Sequence, residues 1–206
     1  MELIQLGGPV VLVLIALSVV GLTIVLYKLI QYRRYSVRRL KRADRALDHW
    51  SAGDAESALQ QLVADKSPIA QLLGKGVAWL RDPKSNEAIV REELIRQGQQ
   101  IVTRVNGLNA FVELIAYLSP MLGLLGTVLG MIDVFYGLAS NGAGADTGML
   151  AGGIWEALLT TAVGLTVAIP FAVMHAMLES RATNIRRGME DQLTRLFTAG
   201  LAVNKS

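Results

Sequence analysis

One acidic residue, Glu156, lies inside a long apolar stretch of the chain. It is the only charged residue between Met149 and Leu178. A charged side chain in a membrane-crossing helix costs roughly 2.5–3.5 kcal/mol on insertion scales, so such residues usually face a polar cavity, an ion pathway or a partner. Glu156 could therefore bind and release a proton, or attract a cation, inside a membrane. The alternative left open by the sequence is a protonated glutamate that only hydrogen-bonds a neighbouring helix.

Small and hydroxyl-bearing residues follow one side of the second and third apolar stretches. Besides Thr127 and Thr161, they are Gly123, Gly126, Gly130, Ala157, Gly164, Ala168 and Ala172. Small residues let membrane helices approach closely, and this is the favoured interpretation of the glycines. A threonine hydroxyl can line a narrow wet path or bond back to a helix carbonyl. For Thr127 and Thr161, packing and an ion pathway therefore both stay open.

The composition excludes an ordinary soluble domain, because 52% of the 206 residues are hydrophobic and 18% are charged. Three stretches approach or exceed the ~20 apolar residues that a membrane crossing requires. They run from Leu3 to Tyr27, from Leu114 to Ile132 and from Met149 to Leu178. No basic residue precedes the first stretch and no A-x-A pattern follows it, so we expect a retained helix rather than a signal peptide. The predicted fold class is an all-α membrane protein with three transmembrane helices.

The 20 Lys and Arg residues fall in three clusters, at 28–45, 66–104 and 181–205. The positive-inside rule places these clusters on the cytoplasmic side. The expected organisation is an outer N-terminus at 1–8, transmembrane helices at 9–30, 112–138 and 149–178, a cytoplasmic helical region at 31–111, an outer turn at 139–148 and a cytoplasmic helical tail at 179–206. We interpret the 28–45 cluster as an anchor for lipid headgroups and not as a nucleic-acid site.

Short helices are expected in the cytoplasmic region at Asp44–Trp50, Asp54–Val63 and Pro68–Leu80. Asp82 and Pro83 then predict the start of a helix that continues into the second span. Two stripes with seven-residue spacing favour helices packed along neighbours. They are Leu94, Ile101, Leu108 and Ile115, and Ala182, Met189, Leu196 and Val203. Because one copy cannot comfortably cover both stripes, we expect the second and third helices to extend into the cytoplasm within a homo-oligomer.

Two prolines and one aspartate lie near the ends of the spans. Pro120 and Pro170 each remove a backbone donor toward the inner end of a span, which allows a kink or hinge. Asp133 lies toward the outer end of the second span. This aspartate is either an interfacial acid that reaches water or a cation-attracting group at the ion entrance.

Two long runs carry a resemblance to a known family. The run from Ser119 to Phe135 reads SPMLGLLGTVLGMIDVF, and the run from Gly153 to Pro170 reads GIWEALLTTAVGLTVAIP. Both closely resemble the MotA/TolQ/ExbB proton-channel family on its ExbB/TolQ branch, and the three-span topology agrees, whereas the flagellar MotA branch has four spans. The chain departs from the pattern at Asp133, where relatives carry an uncharged polar residue. It also carries His175 and Ala176 in place of Tyr-Asn, and we expect His175 to be solvated or interfacial.

The resemblance implies a ring of five subunits around a dimeric, single-span partner of the ExbD/TolR type in the bacterial inner membrane. Ions moving down their gradient, with H⁺ expected and Na⁺ as the alternative, would drive rotation and transmit work to the envelope, where TonB or Tol proteins are further partners. No bound cofactor or metal is implied. By position, Glu156 corresponds to the channel-lining acid. Thr127 and Thr161 correspond to polar positions that face the partner's essential aspartate, and Pro120 and Pro170 to the family's paired prolines.

Two rival functions belong to other classes of protein. A membrane-embedded enzyme would need a second catalytic group, but no intramembrane His/Asp/Ser constellation, nucleotide loop or metal-ligand cluster accompanies Glu156, and the chain has no cysteine. A non-conducting scaffold would show the same glycine-rich packing. Glu156 separates the channel from the scaffold, because a scaffold should tolerate a neutral isostere at this position.

The topology can be tested with single cysteines, since the chain has none of its own. A cysteine at Ser140 or Asn141 should be labelled by an impermeant maleimide from outside intact cells, because the basic clusters hold the other connections inside. A cysteine at Ser57 should be protected until the membrane is opened. The reverse labelling pattern would overturn this topology.

Overall fold

The computed structural model describes residues 8–33, 35, 37–141 and 147–203, and most of these residues are helical. The described helices are α1 (Gly8–Arg33), α2 (Val37–Ser51), α3 (Ala55–Ala64), α4 (Pro68–Leu80), α5 (Glu87–Asn106), α6 (Asn109–Asn141) and α7 (Thr147–Val203). The described residues contain no β-strand. Stretches long and apolar enough to cross a membrane lie within Gly8–Arg33, Glu87–Ser140 and Leu150–Ala199. The predicted fold class, an all-α membrane protein with three spans, is confirmed.

The helices form two compact units. The membrane unit contains the chain up to Tyr27 together with Leu108–Leu178, and the polar unit contains Lys28–Gly107 together with the chain from Glu179 onwards. Of the expected outer segments, residues 1–7 and 142–146 lie outside the described residues. The turn expected at 139–148 is partly helical, because α6 continues to Asn141 and α7 begins at Thr147.

In the membrane unit, α6 and α7 touch through their backbones. A Cβ atom added to Gly164 would lie 2.6 Å from the Ser119 carbonyl oxygen and 3.0 Å from Gly123 Cα. A Cβ atom on Gly123 would lie 2.9 Å from the Thr160 carbonyl oxygen. These distances leave no room for a side chain, so the packing interpretation of these two glycines is confirmed.

The polar unit has an apolar core that is reinforced by polar contacts between α2 and α7. Trp50 Nε1 donates a hydrogen bond to the Leu196 carbonyl oxygen at 2.9 Å. Arg195 forms ion pairs with Asp44 at 3.5 Å and with Asp48 at 2.6 Å. The apolar face of α2, which includes the fully buried Leu47, is therefore fixed against α7.

The predicted seven-residue stripes are largely buried inside a single chain. Leu94 and Leu196 have no exposed surface, and Met189 is 3% exposed. A Cβ atom on Gly76 would lie 2.5 Å from Leu196 Cδ2 and 2.9 Å from Leu94 Cδ1, so α4 covers both leucines. The inference that one copy cannot cover these stripes is wrong at these positions. The inference of an oligomer must therefore rest on other surfaces of the chain.

Helix α5 begins later than predicted. Its N-cap is Asn86, whose side chain accepts a hydrogen bond from the Ala88 N–H. The Asp82 carboxylate instead accepts from the Lys84 N–H at 2.9 Å. An aspartate that bonds the backbone two residues later stabilises a turn in place of a helix start. The predicted start at Asp82 and Pro83 is therefore wrong.

The helix predicted to run unbroken into the second span is interrupted between α5 and α6. Gly107 is the C-cap of α5, and Leu108 follows with a φ of 70°, in the left-handed region. Leu108 is 39% exposed, so it does not continue the buried stripe. Side chains of α1 bind the last carbonyl groups of α5. Lys28 Nζ donates to Val105 O at 2.7 Å and Gln31 Nε2 donates to Arg104 O at 3.3 Å, which satisfies acceptors that a helix end leaves open.

Lys28 does not serve the lipid-headgroup anchor that its cluster was expected to form. Its side chain has no exposed surface, and its Nζ lies 5.7 Å from the centre of the Tyr32 ring. A cation near the C-terminus of a helix is stabilised by the helix dipole. Lys28 therefore positions α5, whereas Lys41, Arg42 and Arg45 of the same cluster are exposed.

Replacing Gly164 by Ala should destabilise the membrane unit, because the added methyl group meets backbone atoms that can move only if α6 and α7 separate. Overpacking of this kind typically costs about 1–3 kcal/mol. Gly137→Ala is the matched control on α6, since a Cβ atom there has no neighbour within 4 Å and alanine favours a helix. Thermal unfolding in detergent should show a lower midpoint for Gly164→Ala than for the control. Equal midpoints would contradict the backbone contact.

Candidate functional site

Three hydroxyl groups converge on one carbonyl group of α6. The Oγ1 atoms of Thr127, Thr160 and Thr161 lie 3.2, 3.1 and 3.1 Å from the Gly123 carbonyl oxygen. Thr127 and Thr161 also share a hydrogen bond with each other. We call these three residues the threonine cluster. The structure thus brings together the two threonines that the sequence singled out.

The threonine cluster also bonds to a carbonyl group of α7. The Ala157 oxygen accepts from Thr127 at 3.1 Å and from Thr160 at 2.7 Å. Each hydroxyl group has one proton, so several of these contacts are alternatives between which a hydroxyl can rotate. Gly126 makes room for the cluster, because a Cβ atom there would lie 2.7 Å from Thr160 Oγ1. The cluster can therefore either join the two helices or pass hydrogen bonds along them.

Thr160 is a member of the cluster that the sequence reasoning missed. Its side chain is 4% exposed. The small residues singled out on α7 follow the face of Thr161, and Thr160 lies about 100° away around the helix. The signal that could have identified it is the pair Thr160–Thr161, which falls opposite two closely spaced glycines of α6, Gly123 and Gly126.

Glu156 lies beside a small cavity of about 230 Å³ in the membrane unit. The cavity is lined by Gly8, Pro9, Val10, Gly126, Leu129, Gly130, Asp133, Glu156, Ala157 and Thr160. The two acids selected from the sequence, Asp133 and Glu156, therefore line one cavity. Thr160 belongs both to this cavity and to the threonine cluster. Both acids are exposed in the single chain.

The membrane unit offers no Lys or Arg side chain to these acids. Residues 1–27 and 108–178 include no Lys or Arg. An unpaired carboxylate in surroundings of low polarity is costly, so its charge has to be balanced by a proton, a cation or a group from another molecule. The described residues contain no group of three or more side chains that could hold a metal ion.

The acids and the threonines follow opposite chain orders on α6 and α7. On α6, Asp133 comes six residues after Thr127, and on α7, Glu156 comes five residues before Thr161. These separations correspond to about 7–9 Å along each helix. The acids therefore lie toward the 142–146 connection, and the prolines lie beyond the threonines at the other end.

Pro120 and Pro170 lie inside helices that continue through them. Each proline leaves its helix one backbone hydrogen bond short. The kink expected at each proline stays a prediction. His175 was expected to be solvated or interfacial. It is half-buried, and its Nδ1 atom is buried without a hydrogen-bond partner among the described residues.

Residues 64–191 match the MotA/TolQ/ExbB proton channel family. The biopolymer transport protein exbB1 of Vibrio cholerae is 39% identical over 124 residues, which are 59% of this chain and 52% of that protein. The biopolymer transport protein ExbB of Salmonella typhimurium is 34% identical over 144 residues, or 67% of this chain and 59% of that protein. The Tol-Pal system protein TolQ of Haemophilus influenzae is 29% identical over 190 residues, or 86% and 81% of the two chains.

The alignment with exbB1 of Vibrio cholerae covers 52% of that relative, and the alignment with ExbB of Salmonella typhimurium covers 59%, so the chain spans little more than half the length of these proteins. The family match nevertheless extends over most of this chain and includes Asp133, Glu156 and the threonine cluster. Relatives named ExbB and TolQ both align with it. The chain therefore belongs to the MotA/TolQ/ExbB proton channel family, on its ExbB/TolQ branch.

Proposed function

We propose that this chain is an ion-channel and stator subunit of the bacterial inner membrane. Together with an ExbD/TolR-like partner, it converts the proton motive force into mechanical work on the cell envelope. The observation that carries this proposal is the cavity shared by Glu156 and Asp133 in a unit without Lys or Arg. Acids placed in this way attract cations, and an acid within a membrane can take up and release a proton.

The names of the similar proteins support an energising role. Two of them are biopolymer transport proteins, and the third belongs to the Tol-Pal system. The proposal therefore covers ExbB-type energising of TonB-dependent transport and a TolQ-type role in the envelope. The partner protein decides between these two roles.

The proposed ion path runs from the cavity to the threonine cluster. Asp133 and Glu156 draw a cation from the periplasmic side, and Glu156 holds the proton. Thr160 lines the cavity and shares the Gly123 carbonyl with the other two threonines. Rotation of these hydroxyl groups then passes a proton toward Thr127 and Thr161, which face the acid of the partner. H⁺ is the proposed ion, and Na⁺ is the alternative.

A single chain leaves the acid site uncovered, which favours an assembly. Glu156 is exposed, and so are its neighbours Trp155 at 64% and Leu158 at 58%. A carboxylate that faces lipid is costly, so a protein surface or water is expected beside it. We propose a homo-oligomer of five copies around a partner dimer, surrounded by membrane lipid. Its N-terminus lies in the periplasm and its C-terminus in the cytoplasm, and nucleic acid is not a proposed partner.

A non-conducting scaffold is the alternative function. The backbone contact between α6 and α7 would serve a scaffold equally well. The similar proteins are transport proteins, so an enzymatic function is not proposed. The two acids separate the alternatives, because a scaffold needs neither of them.

Glu156→Gln should abolish ion-driven function while folding and oligomer formation stay nearly intact, because glutamine keeps the size and hydrogen bonding of the side chain but does not titrate. Glu113→Gln is the matched control, since Glu113 is an exposed acid on α6 outside the residues that line the cavity. Proton flux is measured with a pH-sensitive dye in liposomes that contain the chain and its partner at matched protein levels. Undiminished flux in Glu156→Gln would show that Glu156 is not the acid of the ion pathway, and no flux in the wild-type chain with its partner would establish the scaffold.

Thr127→Ala and Thr161→Ala should reduce flux only in part, because water can replace a lost hydroxyl group. A lost hydrogen bond costs about 0.5–1.5 kcal/mol, which corresponds to roughly 2- to 12-fold in rate. Thr127→Ser keeps the hydroxyl group and should retain flux. A complete loss in Thr161→Ala would show that water cannot replace this hydroxyl group.

Asp133→Asn should lower flux more strongly at low salt, where the attraction of a surface charge is less screened.

A further inference from the structure

Gly8, the first residue of α1, lies against the Glu156 carboxylate. A Cβ atom built on Gly8 would be 3.9 Å from Glu156 Oε1, which is an ordinary contact distance. Gly8 has a φ of +59°, a conformation that glycine adopts readily and other residues rarely. Position 8 therefore combines a backbone that favours glycine with an acid as its neighbour.

The first turn of α1 lines the same cavity as the two acids. Gly8, Pro9 and Val10 contribute to its wall together with residues of α6 and α7. The N–H groups in the first turn of a helix have no partner within the helix and carry a partial positive charge. Pro9 has no N–H group, so only the other residues of this turn contribute such a partial charge to the cavity, in a unit that has no Lys or Arg.

We propose that Gly8 is a positioning residue for Glu156 and that α1 forms a third wall of the ion site. Glycine at position 8 lets the first turn of α1 adopt a φ of +59° beside the carboxylate and leaves the cavity free of a side chain at this position. The two sequence runs that carry the family resemblance lie on α6 and α7. The proposal adds α1 to the site as a third helix. The inference rests on the ion-pathway role proposed for Glu156.

Side chains of increasing size at position 8 test this proposal. Gly8→Ala and Gly8→Val should progressively fill the space beside Glu156 and displace the first turn of α1. Gly53→Ala and Gly53→Val are matched controls. Gly53 has a φ of +82° and no atom within 4 Å of its Cβ position, and it lies in the polar unit. The controls thus introduce comparable backbone strain away from the acid.

The reaction of Glu156 with dicyclohexylcarbodiimide gives a readout that does not depend on the partner, because this reagent modifies protonated carboxyl groups in apolar surroundings. The rate is followed in membranes by mass spectrometry of the peptide that contains Glu156. A reactive group that is misplaced by about 1 Å can lose ~100-fold in rate. For Gly8→Val we expect the labelling of Glu156 and the flux each to be roughly tenfold slower. Gly8→Ala should lie between Gly8→Val and the wild type. The Gly53 pair should match the wild type.

A thiol placed at position 8 separates blocking from misfolding. Because the chain has no cysteine, Gly8→Cys can be modified with methyl methanethiosulfonate after the protein has assembled. Modification should slow the labelling of Glu156 relative to the unmodified variant. Leu12→Cys is the control on the same helix, since Leu12 is 49% exposed and is not among the residues that line the cavity.

The proposal is overturned if the Gly8 variants behave like the Gly53 variants and modification of Gly8→Cys leaves the labelling of Glu156 unchanged. Glu156→Gln, taken through the flux assay, keeps this failure distinct from that of the proposed function. If Glu156→Gln abolishes flux while changes at position 8 have no effect, the inference about α1 alone is wrong. If Glu156→Gln retains flux, the ion pathway is wrong, and with it the role of Gly8 as a positioning residue in that pathway.

Discussion

The backbone contact between α6 and α7 is the constraint on which the membrane unit depends. Gly123 and Gly164 permit this contact, and it brings three threonine hydroxyl groups to one carbonyl oxygen. The distance between α6 and α7 also sets the width of the cavity, because Gly126 and Gly130 of α6 face Thr160 and Ala157 of α7. The contact that packs the helices and the ion pathway proposed above therefore use the same surface. The small residues hold the helices at the distance at which the polar residues meet.

The two units balance their charges in different ways. In the polar unit, Arg195 pairs with Asp44 and Asp48, and hydrogen bonds from Arg96 and then Gln97 lower the pKa of Glu93 to about 2. All 20 Lys and Arg residues belong to this unit, although the net charge of the chain is only +3. The acids of the membrane unit are thus left for charges that come from elsewhere. This asymmetry suits the ion pathway proposed above, because a Lys or Arg side chain beside the acids would compete with the ion.

The sequence was sufficient for the features that depend on composition along one helix. An isolated acid and closely spaced glycines can be recognised directly in the sequence. The presence of Glu156 in an apolar helix and the packing role of Gly123 and Gly164 could therefore be predicted. Features that depend on two distant segments were missed. The break after Gly107 needs donors from α1, and the contact of Gly8 with Glu156 needs two helices far apart in the chain. The seven-residue stripes were assigned to neighbouring copies because periodicity shows that a face is covered but not what covers it.

The burial of Lys28 imposes an order on the biosynthesis of this protein. Its acceptor, the Val105 carbonyl oxygen, is made 77 residues later. A chain is made from its N-terminus at about 5–20 residues per second, so α1 exists for several seconds before α5 can bind it. Throughout that time the ammonium group must be kept hydrated at the membrane surface, because desolvating an unpaired charge costs several kcal/mol. Insertion of α1 and its docking are therefore separate events, and the second cannot be completed until α5 has been synthesised.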